Sequence, residues 1–294
     1  MDDRTESGGG YRLPDAARPG RVRLRVADPE RSLGFYRDVL GMRVARDEGS
    51  VLGLAAGEGP ELIELRGTPG LAPARQRGRL GLYHFAVLVP TRAELGRVLG
   101  RLSGSGFPLG ASDHEVSEAL YTVDPDGNSV EIYADRPRSA WRHDGDELHM
   151  TTIPLDTHSL LREAAPDTGA IAEGTRIGHM HFYMDDLARA DAFYRGGLGM
   201  DRMVWSYPGA LFLAAGGYHH HVGTNTWAGP GATRTRDDEA GLLDWELLVP
   251  TTADADASAA SLRAAGFDPR QEDGAWTAAD PVGNVIRIVA DGNR

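Results

Sequence analysis

Phe35-Tyr36-Arg37-Asp38-Val39-Leu40-Gly41-Met42 returns as Phe193-Tyr194-Arg195-Gly196-Gly197-Leu198-Gly199-Met200, and this recurrence decides the fold. Three more elements return in the same order. Leu52-Gly53-Leu54-Ala55-Ala56-Gly57 matches Leu211-Phe212-Leu213-Ala214-Ala215-Gly216, and Leu88-Val89-Pro90-Thr91 matches Leu248-Val249-Pro250-Thr251. Asp124-Pro125-Asp126-Gly127-Asn128 matches Asp280-Pro281-Val282-Gly283-Asn284. The copies lie about 160 residues apart, a constant period that marks a duplicated half.

Each half divides again into a strand, a helix and three short strands set off by Gly-, Pro- and Asp-bearing turns. The four opening strands are expected at Val22–Val26, Tyr83–Val89, His179–Met184 and Leu243–Val249. The helices are expected at Pro29–Val39, Arg92–Leu102, Leu187–Arg195 and Ala253–Ala265. The expected class is α+β, with four βαβββ modules. Two occupy residues 14–137 and two occupy 176–292. A linker over 138–175 joins them, with a short helix around Leu155–Ala164. Segments 68–78 and 229–239 read as further linkers.

Composition narrows the chemistry. The 294 residues carry a net charge of −12, which disfavours nucleic acid and acidic membrane surfaces as partners. All 31 basic residues are arginine, so lysine Schiff-base chemistry is excluded. There is no cysteine, hence no disulfide, thiolate nucleophile or iron–sulfur ligand. A protein-bound metal must therefore be held by His, Asp or Glu. Met1–Gly10 is acidic and glycine-rich without an apolar run, and no stretch is apolar enough to span a bilayer. A cytoplasmic protein is expected, and a homo-oligomer is left open.

The stretch from His114 to Glu131 carries chemistry. Asp124-Pro125-Asp126-Gly127 is turn sequence, and Ala119–Val123 and Ser129–Tyr133 read as the strands of a hairpin. Tyr121 and Glu131 can then project from neighbouring strands into one cavity.

The four βαβββ modules, the F-Y-R-x-x-L-G-M element and the D-P-x-G-N ending resemble the vicinal oxygen chelate superfamily. That group includes glyoxalase I, bleomycin-resistance proteins and type I extradiol dioxygenases. The resemblance covers the chain from about Gly20 to Asp291. It implies a glyoxalase-like fold in which modules pair into half-open mixed β-barrels. It also implies metal ligands on opening and closing strands. The opening-strand positions hold Arg21, His84, His179 and Asp244, and the closing-strand positions hold Glu64, Glu131, Gly223 and Arg287. Pairing module two with module three collects His84, His179 and Glu131, a two-His, one-carboxylate set suited to non-haem Fe(II), with Mn(II) acceptable. Consecutive pairing would instead offer Glu64 with His84 and Glu131. Any one histidine at the start of a strand is usually structural; three ligand types at aligned repeat positions are harder to dismiss.

The spacing H-x5-L-Y-x2-D-P-x-G-x3-E, filled by His114, Tyr121 and Glu131, resembles the signature of type I extradiol ring-cleavage dioxygenases. Ser112 departs from it, since the family usually has another small or β-branched residue two before the histidine. By resemblance Glu131 ligates the metal, Tyr121 bonds the substrate oxygen and His114 reaches the catechol oxygens. Tyr218-His219-His220-His221 adds the histidine pair that these enzymes carry, one member of which is an acid–base catalyst. Strand alternation favours His221, then His219, and turns His220 away. Asn225 and Trp227 are candidates to line the pocket. His181 and Tyr183 read as packing, and His143, His149 and His158 as uninvolved. The implied function is an Fe(II)-dependent extradiol dioxygenase, of the two-domain catechol-2,3-dioxygenase kind, using a small catechol-like aromatic substrate and O2. The alternatives are a glyoxalase-type lyase or isomerase, which needs a fourth protein ligand, and a non-catalytic aromatic-drug-binding resistance protein.

Overall fold

The computed structural model describes residues 10–75 and 77–293, so the N-terminal stretch read above lies, apart from Gly10, outside the described residues. The repeated motifs turn out to be the fold's joints. Thr91 and Thr251, which close the two Leu-Val-Pro-Thr copies, cap the helices Arg92–Ser105 and Thr252–Ala264. Each hydroxyl accepts the backbone N–H three residues on, at 3.2 Å. Asp28 and Asp186 do the same for the helices of modules one and three. The module-one helix ends sooner than expected, at Tyr36, whereas that of module three passes after Asp191 into a π-helix over Ala192–Gly197. In both, the chain past the aromatic pair widens: Leu40 N–H bonds to Phe35 C=O and Leu198 N–H to Phe193 C=O, five residues back.

Gly41 and Gly199 then turn the chain out with φ of 80° and 73°. A Cβ there would sit 2.7 Å from Ile171 N and 2.6 Å from Tyr11 O, so both conformation and space demand glycine. The two Asp-Pro-x-Gly-Asn turns are alike. Asp124 accepts Asn128 N–H and its amide at 2.8 and 2.9 Å, and Asp280 accepts those of Asn284 at 2.9 and 2.7 Å. The tyrosine of one motif locks onto the turn of the next. Tyr36 Oη donates to Asp124 at 2.8 Å and Tyr194 Oη to Asp280 at 2.9 Å, all four residues buried.

Consecutive modules are thus joined by side chains, whereas the sheets join them differently. Module one opens with Arg18–Val26, paired antiparallel to Gly241–Val249 of module four. Module two opens with Arg79–Leu88, paired antiparallel to Arg176–Tyr183 of module three. Outer modules therefore share one eight-stranded sheet and inner modules share the larger one. In each sheet the opening strand also pairs parallel to its own module's closing strand: Glu61–Gly67, Ser129–Asp135, Val222–Asn225 and Val285–Ala290. The fold is α+β, four βαβββ modules in two curled half-barrels. One continuous core draws on all four, including Leu24, Phe85, Phe182 and Trp245.

The linkers are less passive than their composition suggests. Ile153–Pro154 adds to the inner sheet beside Gly110–Asp113, and Thr233–Arg234 pairs with the start of Arg79–Leu88. The linker helix is Thr157–Arg162, capped by Asp156. No helix among the described residues is long and apolar enough to cross a membrane.

Candidate metal centre

The hairpin Ser117–Val123/Ser129–Asp135 sets Tyr121 directly opposite Glu131, so both side chains leave the sheet on one face. Glu131 lies beside Ala86 in the parallel register, two residues from His84. The antiparallel neighbour brings in module three, with a register shift between Ile177 and His179 that re-aims the second histidine. Gly178 sits at that shift because Tyr133 presses against it; a Cβ would meet the phenol oxygen at 1.8 Å.

The result is one cluster. Glu131 Oε2 is 3.0 Å from His84 Nε2 and 3.1 Å from His179 Nε2. All three residues are buried, and they form the one group of three potential ligands found among the described residues. Two neighbouring ligands each about 2.1 Å from a shared ion stand about 3 Å apart, so these spacings fit a chelating set. His84 Nε2 supports the fit: it is buried and makes no hydrogen bond of acceptable geometry, although Glu131 is beside it. The protonation states also suit ligation. Burial alone would raise the Glu131 carboxyl, but the two imidazoles hold it well below the usual range. Burial lowers His179 to about 4, leaving it neutral.

A fourth ligand is sterically refused. Gly223 occupies the remaining closing-strand position, and a Cβ there would lie 2.9 Å from the His181 ring. His181, which the sequence marked as packing, lines the cavity, with Nε2 accepting the Asn225 amide at 2.9 Å. Trp227 lines the cavity too, whereas Asn225 acts behind it.

The cavity is about 330 Å³, walled by Tyr83, Phe212, Tyr207, Trp227 and Met150, with Glu131 and His84 at its base. Tyr121 and His114 both reach it and are joined, His114 Nε2 to Tyr121 Oη at 2.7 Å. His114 Nδ1 lies 2.8 Å from Thr151 C=O, an acceptor only, so Nδ1 carries the proton and Nε2 accepts from the phenol. Burial pushes Tyr121 well above its ordinary value, which keeps that proton in place.

The histidine triplet departs from expectation. Residues 217–221 are not a strand; Val222–Asn225 begins only afterwards, so alternation does not apply. His220, expected to face away, lines the cavity, its ring 4.1 Å from that of His179. His221 accepts Ala215 N–H at 3.2 Å and stacks on Tyr218, off the cavity. His219 also stands behind the wall, bonded to Asp135 at 2.9 Å. The linker supplies Met150, Thr151 and Thr152 to the cavity, which sequence reasoning missed because nothing local marks them. His149 pairs with Asp144 and Glu115 outside it.

Comparison with known proteins identifies the family. The sequence matches the Glyoxalase/Bleomycin resistance protein/Dioxygenase superfamily over residues 18–132 and 176–288. It is 40% identical over 267 residues to catechol-2,3-dioxygenase of Bacillus subtilis, covering 90% of this chain and 93% of that one. Biphenyl-2,3-diol 1,2-dioxygenase 3 of Rhodococcus globerulus is 35% identical over 103 residues, 34% of this chain and 54% of that protein. In fold, glyoxalase I from Zea mays superposes with a TM-score of 0.56 at 17% identity, over 95% of this chain and 94% of that one. A duplicated βαβββ architecture, a matching family profile over most of the chain and a close full-length relative lead to one conclusion: the protein belongs to the Glyoxalase/Bleomycin resistance protein/Dioxygenase superfamily.

Proposed function

We propose that the protein is an Fe(II)-dependent extradiol dioxygenase that opens the ring of a catechol-like substrate with O2. The observation that carries this reading is the two-His, one-Glu cluster of His84, His179 and Glu131, with its fourth protein position closed by Gly223 against His181. Three nitrogen and oxygen donors suit Fe(II), and Mn(II) shares the preference. The bound ion would supply a Lewis-acidic, redox-active centre with positions left for two substrate oxygens and O2.

The chain's own residues do the rest. The aromatic and thioether wall takes the ring of the substrate and keeps water from it. Tyr121 is a half-buried, protonated phenol that orients an oxygen held beside Glu131. His114 fixes that phenol through Nε2 and is itself fixed by Thr151. His220 presents its imidazole at the cavity wall, where a base can take a substrate hydroxyl proton and later return one. We therefore assign the acid–base role to His220 rather than His221 or His219.

A glyoxalase-type reaction would need a fourth protein ligand, which Gly223 does not give. The test is anaerobic loading with Fe(II) followed by O2 uptake on catechol, watched for a yellow ring-fission product. Stoichiometric uptake with that colour is expected. No uptake on any catechol by iron-loaded protein would overturn the reading.

A further inference from the structure

Behind the cavity wall lies a chain of three hydrogen-bonded side chains that the metal cluster does not use. Asp135, at the end of the strand that carries Glu131, is 2.9 Å from His219 Nε2. His219 Nδ1 is 2.8 Å from His220 Nδ1. His220 Nε2 takes no partner among the described residues, and its ring borders the cavity. His219 is fully buried, its ring 4.1 Å from Tyr218 and 5.5 Å from Trp141. Asp135 is held from its other side by Tyr218 Oη, at 3.0 Å, and that phenol meets Tyr133 Oη at 2.7 Å.

We propose that Asp135 and His219 are positioning residues that set the tautomer of His220, so that its Nε2 faces the cavity with a lone pair and no proton. This deepens the acid–base assignment above and rests on it for its catalytic meaning. The argument is a count of donors and acceptors. A carboxylate only accepts, so His219 must donate from Nε2. A neutral imidazole has one N–H, so His219 Nδ1 is left as an acceptor. The short Nδ1–Nδ1 contact then requires the proton to sit on His220. With Nδ1 of His220 so occupied, Nε2 is the free base. Fixing an imidazole tautomer through a buried carboxylate is worth orders of magnitude in rate where it has been broken elsewhere.

The two ring nitrogens can be read directly. Long-range ¹H–¹⁵N correlation spectra of the metal-free protein, with the ten histidines assigned by single substitutions, report which nitrogen bears each proton. The native protein should show His219 as Nε2–H and His220 as Nδ1–H. Asp135→Ala removes the acceptor; His219 and His220 should then no longer hold the single native pair of tautomers. Asp135→Glu should keep the native pair. In the iron-loaded protein the Ala variant should lose kcat by about 100-fold or more with KM for catechol changed by less than about threefold. A native His220 that carries its proton on Nε2 overturns the proposal, whether or not any variant folds. So does an Asp135→Ala protein with unchanged tautomers. Because the tautomers are read without turnover, failure of the dioxygenase reading would leave the spectra as expected and be recognised separately.

Discussion

The inner and outer sheets place equivalent residues at equivalent points and make opposite things of them. Where the inner sheet sets His84 beside Glu131 and His179, the outer sheet sets Asp244, Arg287 and Arg21. In the outer half-barrel Asp244 and Arg21 are each neutralised by a neighbouring side chain. Arg23 holds Asp244 through both nitrogens, and Arg21 meets Glu246 at 2.9 Å and Glu61 at 3.2 Å. Buried Glu64 is gripped by Arg66 at 2.6 Å and Arg46 at 2.7 Å. Guanidinium groups, always protonated, supply the cations that neutralise the outer carboxylates. The inner cluster has two imidazoles around its carboxylate. The lesson is that this fold forces polar side chains to converge at one point in each half-barrel. The side-chain type then decides whether that convergence becomes an ion-pair lattice or a chelate.

The sharpest way to break the comparison is to remove one ligand in each sheet. Glu131→Ala or His84→Ala should abolish iron retention through gel filtration and lower O2 uptake by more than about 1000-fold, well beyond the roughly 10- to 100-fold cost of a supporting residue. Arg287→Ala, the outer counterpart of Glu131, should leave both unchanged within about twofold, since distant sites act independently. Full activity in either inner variant, or loss of iron in the outer one, would dissolve the distinction between the sheets.

The second test runs the other way. Glu64→Ala strips the outer lattice of a carboxylate shared by Arg46 and Arg66. Losing one partner of a buried pair leaves charge uncompensated, and we expect a cost of about 2–4 kcal/mol, at the low end because both arginines keep some solvent. Urea unfolding measures it, and the iron content of the surviving folded protein should be that of the native chain. A change under about 0.5 kcal/mol would mean the lattice contributes nothing.

A third pair should fail to distinguish the halves at all. Tyr36→Phe and Tyr194→Phe each delete one hydrogen bond to a buried turn aspartate, Asp124 or Asp280. Each should cost about 1–2 kcal/mol. Thermal or urea unfolding of the two variants should agree within error; a large asymmetry would show that the duplicated joints have diverged in use.

These contrasts explain what could be read from the sequence. Residues repeated in both halves, such as Tyr36/Tyr194, Thr91/Thr251 and Asp124/Asp280, proved to be caps, turns and joints, and periodicity alone exposed them. The cluster that could hold a metal stood out because His84, His179 and Glu131 break an otherwise shared pattern with ligand-type side chains. Three things were not legible. The His219–His221 run was assigned to faces by alternation, which needs a strand that does not begin until Val222. Thr151 reaches His114 from 37 residues away, a separation carrying no local periodicity. The outer ion pairs were hidden because an arginine facing a half-barrel and one facing solvent look the same along the chain.

The smallest expected effect concerns how the two sheets are held together. Arg79, which begins the inner opening strand, grips Glu239 with both nitrogens at 2.6 and 2.7 Å, just ahead of the outer strand Gly241–Val249. Hydrogen bonds from Arg79 hold the buried Glu239 carboxyl down at about 2, against its ordinary 4.5. The folded state therefore keeps this carboxylate ionised where the unfolded chain would protonate it. The stabilisation is complete above pH 4.5 and is lost as pH falls toward 2, where unfolding takes up no extra proton at this site. Between those limits the urea midpoint should fall with acid, and Glu239→Gln should flatten part of that slope while leaving the midpoint less pH-dependent. If the Gln variant keeps the full native slope, the clasp between the sheets carries no measurable share of the acid sensitivity. A flattened slope with unchanged iron retention would instead place the joint between the half-barrels and the chelate within one of them as separate energetic units.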